Sequence, residues 1–428
     1  MVIPTPGFEP RLQRRYEKLV NEHLHTSENQ AAGARALPSV NEAFASTQAA
    51  WRFYSNPQVN AQGLAAPLIE QARLDLPVLS RRYGLAIHDW SDLVYATHGS
   101  KKDRKKIGTD LGYKLATTLL ISDLNGFPIA PISLGLWAND GWHTTLDDQV
   151  RSDLSPLALV SETMLFLNRQ KLSLPLVHLI DREGDSIFHS RQWDAAGNLF
   201  LVRADAVQRV VWQGRTQLLG DVAAQVALQA GQAVEISANV IGQLLVGETG
   251  IVIDRPAFPR GREGKRQWVK GEPLKLSLVV CQLRLPDGRI EAEWYLLSNV
   301  PAQTRAEQLA EWYYWRWRIE SYFKLLKSHG FQVDQWQQET ADAIAKRLLV
   351  AAMACVLVWR LQRATEPETI ALRDLLVRLS GRQVRRGQAT APAILAGLWV
   401  FLSAIELLEH YDLNDLKRMA GRAVPGYS

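Results

Sequence analysis

Between Trp312 and Lys327 the sequence sets Tyr313, Arg316, Glu320, Lys324 and Lys327 at helical spacings i, i+3, i+7, i+11 and i+14. At about 100° per residue these five side chains fall within an arc of roughly 80° on one helix. Trp312, Trp315, Ile319, Tyr322, Phe323 and Leu326 cluster roughly opposite, as an apolar stripe for packing. One carboxylate among a phenol and three cations suits a phosphodiester, with a divalent metal for the acid and backbone phosphates for the cations. A solvated ladder would show the same spacing, because Arg316 with Glu320 and Glu320 with Lys324 are i,i+4 pairs worth ~0.3–0.5 kcal/mol each. The helix alone leaves both readings open.

Two further acids stand where strands would carry them. Leu85 to Tyr95 reads as a strand bearing Asp89, and the apolar run Leu174 to Ile180 stops at Asp181. Ligands gather at strand ends in α/β sheets. Taken singly, each aspartate also fits a turn or cap. Oxygen ligands suit Mg2+ or Mn2+, and a two-metal site needs acids converging from different elements because the ions sit only ~4 Å apart.

The elements that would position these acids follow from pattern and punctuation. Tyr113 to Ser122 predicts a second strand, Asn125-Gly126 a hairpin turn, and Phe127 to Trp137 a third strand that Pro128 and Pro131 push towards a sheet edge. Ser155-Pro156 opens a helix to about Gln170. Another helix and a strand at Leu199 to Arg203 follow. From about Ala206 to Asn299 the helical period gives way to strands at Val210–Trp212, Ala233–Val240, Gly250–Ile253, Leu274–Leu285 and Glu291–Leu297. Helices return from Thr304 to the end.

Composition narrows the class. The 428 residues are 47% hydrophobic, with a net charge of +5. The chain can bury real cores and leans modestly towards polyanionic partners. His98 to Ala116 holds six Lys/Arg against two acids, and Arg255 to Lys275 seven against two, whereas the first seventy residues hold six of each. Basic loops at Lys101, Lys102, Arg104 and Lys105 (with Lys106), and at Arg260, Arg262, Lys265 and Arg266 (with Lys270), suit tracks for a phosphate backbone; solvated loops are the plain alternative. Cys281 and Cys355 are the only cysteines, which excludes a disulfide framework and points to a reducing compartment. No signal peptide is evident, and the apolar run Ala391 to Ile405, broken by Pro392, Gly397 and Ser403, is expected to fall short of a membrane span. A cytoplasmic protein without a membrane partner is the expectation.

The spacing Y-(2)-R-(3)-E-(6)-K, from Tyr313 through Arg316 and Glu320 to Lys327, resembles the signature of bacterial insertion-sequence transposases of the DDE type that cut and paste through DNA hairpins. The segments Leu85–Asp89, Asp181–Asp185 and Arg316–Glu320 resemble that family in the same order, and the likeness covers about Trp51 to Ala352. It implies an α/β fold with a ribonuclease-H-like catalytic core, interrupted by a mostly β insertion, between helical N- and C-terminal regions. The corresponding division is 1–70 for DNA binding, 71–205 for the first part of the core, 206–300 for the insertion, 301–363 for the Glu helix that completes the core, and 364–428 for a helical region suited to dimerisation.

The resemblance also implies roles. Asp89, Asp181 and Glu320 would be the catalytic acids and ligands of two Mg2+ or Mn2+ ions. Tyr313, Arg316 and Lys327 would hold phosphates, with Lys324 nearby. Trp294 would stack on a flipped base and Arg203 would contact DNA. The partners implied are double-stranded DNA, at transposon ends and target, and a second copy of the chain on that DNA. The chemistry implied is hydrolysis at the element's end, hairpin closure by the freed 3′-OH, hairpin opening and strand transfer. A metal-dependent nuclease that never joins, or a non-catalytic DNA-binding regulator derived from a transposase, remain open alternatives.

Overall fold

One thirteen-stranded sheet runs through the computed structural model, which describes residues 4–25, 40–237, 240–259, 267–384 and 388–423. Its strands are β1 (Gly84–Val94), β2 (Lys105–Ile107), β3 (Asp110–Ser122), β4 (Pro128–Trp137), β5 (Trp142–Thr144), β6 (Leu176–Ile180), β7 (Leu199–Ala204), β8 (Arg209–Trp212), β9 (Arg215–Leu218), β10 (Gln229–Ser237), β11 (Val240–Ile253), β12 (Leu274–Arg284) and β13 (Ile290–Ser298). The helices are α1 (Pro10–Leu24), α2 (Val40–Tyr54), α3 (Ala61–Leu79), α4 (Pro156–Arg169), α5 (Ile187–Ala195), α6 (Leu219–Ala223), α7 (Ala306–Trp315), α8 (Arg318–Leu326), α9 (Ala341–Gln362), α10 (Pro367–Leu379), α11 (Ala391–His410) and α12 (Leu413–Ala423).

The strand order is β5-β4-β3-β1-β6-β7-β13-β12-β11-β8-β9, with β2 beside β3 and β10 beside β11. β1, β3 and β4 are antiparallel neighbours, whereas β6 and β7 run parallel to β1. The parallel strands are continuous apolar runs because both of their faces are covered. Leu85, Ile87, Val177, Leu179 and Leu201 face a core that includes α3 and the almost wholly buried α9, while Ile180, Phe200 and Val202 face α4, α5 and α6. The predicted helix at Ser155 starts there, with the Ser155 hydroxyl accepting from Ala158 N–H at 3.1 Å.

The expected edge position of the third strand holds over half its length. β5 pairs with Gly135 to Trp137, so among the described residues the half of β4 containing Pro128 and Pro131 has no outer strand beside it, and both prolines sit where the β3–β4 register shifts, positions that tolerate a missing N–H. The insertion does not build a sheet of its own. It leaves after β7 and returns through β13, which pairs with β7, so the chain re-enters the core at the point it left.

Asp123 ties this framework to the helices that follow. Its buried carboxylate accepts from the backbone N–H groups of Arg81, Arg82 and Tyr83 at 2.7, 2.9 and 3.0 Å, and its carbonyl accepts from Trp312 Nε1 at 3.2 Å. The adjacent hairpin turn holds Gly126 at φ +66, where an added Cβ would meet the Trp315 ring at 2.7 Å. Glycine supplies both the left-handed backbone and the close approach. The turn and the start of β1 therefore fix where α7 lies.

At the C-terminus the helix runs from Ala391 to His410, and where the apolar run to Ile405 is expected to fall short of a membrane span, these 20 residues are long and apolar enough to cross one by length and composition. Its first half packs as a core helix, with Ile394 and Leu395 buried and Gly397 against the Leu376 backbone of α10.

Asp123→Ala would leave three N–H donors at the mouth of β1 without their acceptor. A loss of roughly 3 kcal/mol is expected, measured by urea denaturation; a change within experimental error would contradict the anchoring role.

Candidate active site

Register alone brings two of the acids together. His88 of β1 pairs with Ile180 of β6 in a parallel ladder, so Asp89 on β1 and Asp181 just past the end of β6, each one residue further on, continue from adjacent strands that lie about 4.8 Å apart. Beneath them His88 Nε2 and His178 Nδ1 are 2.8 Å apart, and His88 Nδ1 meets the Thr118 hydroxyl at 3.1 Å. Burial pushes His178 down to about 3, which keeps that imidazole neutral. The pair cross-links the two strands from the opposite face.

The third acid arrives with a correction. The single helix expected from Trp312 to Lys327 is two helices, α7 and α8, joined at Arg316-Trp317. The joint is a tightened turn, because Arg316, Ile319 and Glu320 N–H donate to the carbonyls three residues back, at 3.0, 3.2 and 3.1 Å. It turns Trp317 outwards, 53% exposed, and Arg316 inwards, its side chain only 5% exposed.

Arg316 then gathers all three carboxylates. One terminal nitrogen lies 2.8 Å from Asp89 Oδ2, and the other lies 3.2 Å from Asp181 Oδ2 and 3.5 Å from Glu320 Oε1. Tyr313 donates its hydroxyl to Asp181 Oδ1 at 3.0 Å, and Arg203, on β7, stands 3.9 Å from the same oxygen. The acid side chains keep between a fifth and a third of their surface, so the cluster opens to solvent on one side.

The electrostatics follow from that crowding. Burial pushes the Asp89 carboxyl above its ordinary value; Arg316 and the Trp90 N–H pull it down, while Asp181 and Glu320 push it up again. Burial opposes the charge on Arg316, but Asp181, Tyr313, Asp89 and Glu320 together hold it above the usual arginine value. Tyr313 is raised by burial and by Asp181, so it stays a neutral donor. An oxygen-only set of three carboxylates fits a hard divalent ion in its chemistry. As placed, with the guanidinium between them, no group of three acids among the described residues stands ready to clasp one.

The remaining expected residues divide. Lys327, at the end of α8, donates to Ser91 Oγ at 2.7 Å and to the Asp92 carbonyl at 2.6 Å, which pins the helix to β1 just beyond Asp89. Lys324 is exposed. Trp294 is not a platform in this structure. It is 7% exposed within the core, its ring edge-on to Tyr313 at 6.1 Å, so no base can lie on it without the ring leaving its packing.

Lys101 is likewise not a free loop cation. It is 1% exposed, donates to the Trp336 carbonyl at 2.7 Å, and burial lowers it to about 8. Arg104 pins the same loop through the carbonyls of Lys101 and Tyr95. Lys105 sits over the Trp137 ring at 2.8 Å, and Lys102 is exposed. Arg260, Arg262, Lys265 and Arg266 lie outside the described residues.

A basic surface escaped the sequence reading. Arg11, Arg14, Arg15 and Lys18 share one face of α1 and, with Arg52 of α2, line a cleft of about 520 Å³ in which Glu9 is the one acid among the lining residues. The i, i+3, i+4, i+7 spacing was the available signal, hidden by the neutral sum of the first seventy residues.

Residues 213–357 match the transposase DDE domain family. This third of the chain, which is similar to a DDE-type transposase domain, includes Glu320, Tyr313 and Arg316 but not Asp89 or Asp181. No curated protein matches the chain. A solved structure of the piggyBac transposase synaptic complex with hairpin DNA matches at 10% identity and a TM-score of 0.37, covering 97% of this chain and 75% of that one, a likeness too distant to bear on the site.

The Asp89 shift carries a sign that can be checked. A carboxyl held above its unfolded value binds its proton more tightly in the folded state, so its contribution improves as pH falls through the folded pKa and is unfavourable above it. Arg316→Gln removes the largest charge that pulls Asp89 down. The variant should lose about 1–3 kcal/mol at neutral pH, less than the ~3–5 kcal/mol of a fully buried pair because the acids retain solvent. The gap to wild type should narrow as pH falls into the raised carboxyl range. Urea denaturation with chelator at neutral and acid pH measures it, and a gap independent of pH would contradict the assignment.

Proposed function

We propose that the protein is a DDE transposase that cuts DNA at the ends of an insertion sequence and joins them to a target, with Asp89, Asp181 and Glu320 as its catalytic acids. The observation that carries this reading is the convergence of three acids, remote in sequence, on the single guanidinium of Arg316. The DDE domain match over the Glu320 region supports the same class. The order β4-β3-β1-β6-β7, three antiparallel strands followed by two parallel ones, supports a ribonuclease-H-like core.

The three carboxylates would hold Mg2+ or Mn2+, two ions by the resemblance, which when bound acidify an attacking water and stabilise the departing 3′ oxygen. The chain's own side chains do the positioning. Arg316 presents a planar fork that fits a phosphate as well as a carboxylate. Tyr313 offers a neutral hydroxyl donor beside Asp181. Lys324, exposed on α8, reaches outwards for the strand beyond the scissile bond, while Lys327 holds α8 at its working distance from β1. Hairpin formation demands that a base leave the stack at a cost of a few kcal/mol, which an aromatic surface offsets. Trp317, exposed at the joint beside Arg316, is the ring we assign to that task in place of Trp294. The basic cleft of α1 and α2 takes duplex backbone, and exposed Leu407, Leu408 and Leu413 near the C-terminus suit a second copy bound to the same DNA. The bacterial cytoplasm is the compartment we propose for this work.

Asp89→Ala, Asp181→Ala and Glu320→Ala should each keep DNA binding and lose cleavage of the DNA flanking the gene in Mg2+. Wild type should yield hairpin products on a denaturing gel. Nicks without hairpins would make the protein a nuclease, and wild-type nicking by any of the three variants would end the assignment. Replacing Arg14 and Arg15 with Gln should weaken binding to all sequences alike and reduce the slope of log K against log salt by about 1 per residue. Fluorescence anisotropy across a salt series reads it, and an unchanged slope would remove the cleft from the DNA path.

A further inference from the structure

We infer that Arg316 is an internal counter-ion that closes the acid site in the free protein and yields it to divalent metal only when a DNA phosphate draws the guanidinium away. This rests on the DNA-cutting reading above and adds the order in which the site fills.

Three observations carry it. First, both terminal nitrogens of Arg316 are spent on the three acids, at 2.8, 3.2 and 3.5 Å, so the guanidinium occupies the place those oxygens share. Among the described residues no group of three acids is placed to hold an ion as they stand. Second, the contact is incomplete. Arg316 Nε is buried with no hydrogen-bond partner among the described residues, and a buried donor left unpaired costs about 1–3 kcal/mol. A phosphate approached from the open side offers acceptors for Nε and a terminal nitrogen together, so the guanidinium gains a bond by leaving. Third, the residue sits at the tightened turn between α7 and α8, where the i→i−4 ladder is already replaced by i→i−3 bonds. A small change there swings the side chain without unwinding either helix.

Withdrawal would leave three carboxylates facing each other, and a divalent ion is the species that then neutralises them. DNA and metal therefore bind with positive coupling, and linkage requires each to tighten the other by the same factor.

Mn2+ affinity, followed by electron paramagnetic resonance of the free ion, tests this without reference to turnover. Wild-type protein should bind Mn2+ at least about tenfold more tightly when saturated with a short DNA duplex than alone. Arg316→Gln, checked for folding by circular dichroism, should bind Mn2+ at least about tenfold more tightly than wild type without DNA, and added duplex should change that little. Asp181→Ala in the Arg316→Gln background should abolish the gain, placing the ion at these acids. Equal Mn2+ affinity of wild type and Arg316→Gln without DNA overturns the inference, as does an unchanged wild-type affinity on adding duplex, a measurement that stands even if the variant fails to fold. Wild-type cleavage combined with either result would leave the transposase reading intact, whereas the expected Mn2+ results from a protein that never cuts DNA would remove that reading alone.

Discussion

Three negative charges held within reach of one another repel, and they persist in a partly buried cleft only because a cation stands among them. In this protein that cation is Arg316. Much of the architecture serves the arrangement. Parallel register sets Asp89 beside Asp181, the histidine pair locks the strands beneath them, and Lys327 ties the end of α8 back to β1. The tightened turn at Trp317 aims Arg316 inwards and sets Glu320 at its second nitrogen.

The insertion explains how a residue so far along the chain arrives there. β13 returns along β7, so the detour through β8 to β12 ends where it began. The next helix, α7, is then seated by Trp312 on the Asp123 carbonyl and by Trp315 on the Gly126 turn. The insertion can carry its own surface without moving the acids, because its two ends are bonded to the same sheet. Placement of Glu320 depends on packing by tryptophans that lie one turn before the chemistry.

Much of this was legible in the sequence because it is written in local period and punctuation. The runs around Asp89 and before Asp181, the Asn125-Gly126 turn and the Ser155-Pro156 cap all specify their elements through nearest neighbours, and those elements form where expected. What was not legible depends on distant partners. Lys101 reads as a free loop cation until Trp336, far along the chain, offers its carbonyl. Trp294 reads as a stacking platform, and its burial edge-on to Tyr313 depends on a helix that follows the whole insertion. The turn at Arg316-Trp317 departs from the helical period over a single turn, which residue types do not reveal. On α1, burial of Tyr16 and Leu19 forces the arginines to the outer face, a segregation that a count of charges cannot show.

On the reading proposed above, Asp89, Asp181 and Glu320 form one site with Arg316 as its exchangeable cation. Crystals of the protein with duplex DNA, soaked in Mn2+ and measured at the manganese edge, test it most directly. Anomalous density is expected among the three carboxylates, with the Arg316 guanidinium turned onto a phosphate. Manganese found away from these acids, with Arg316 still bridging all three beside bound DNA, would contradict it.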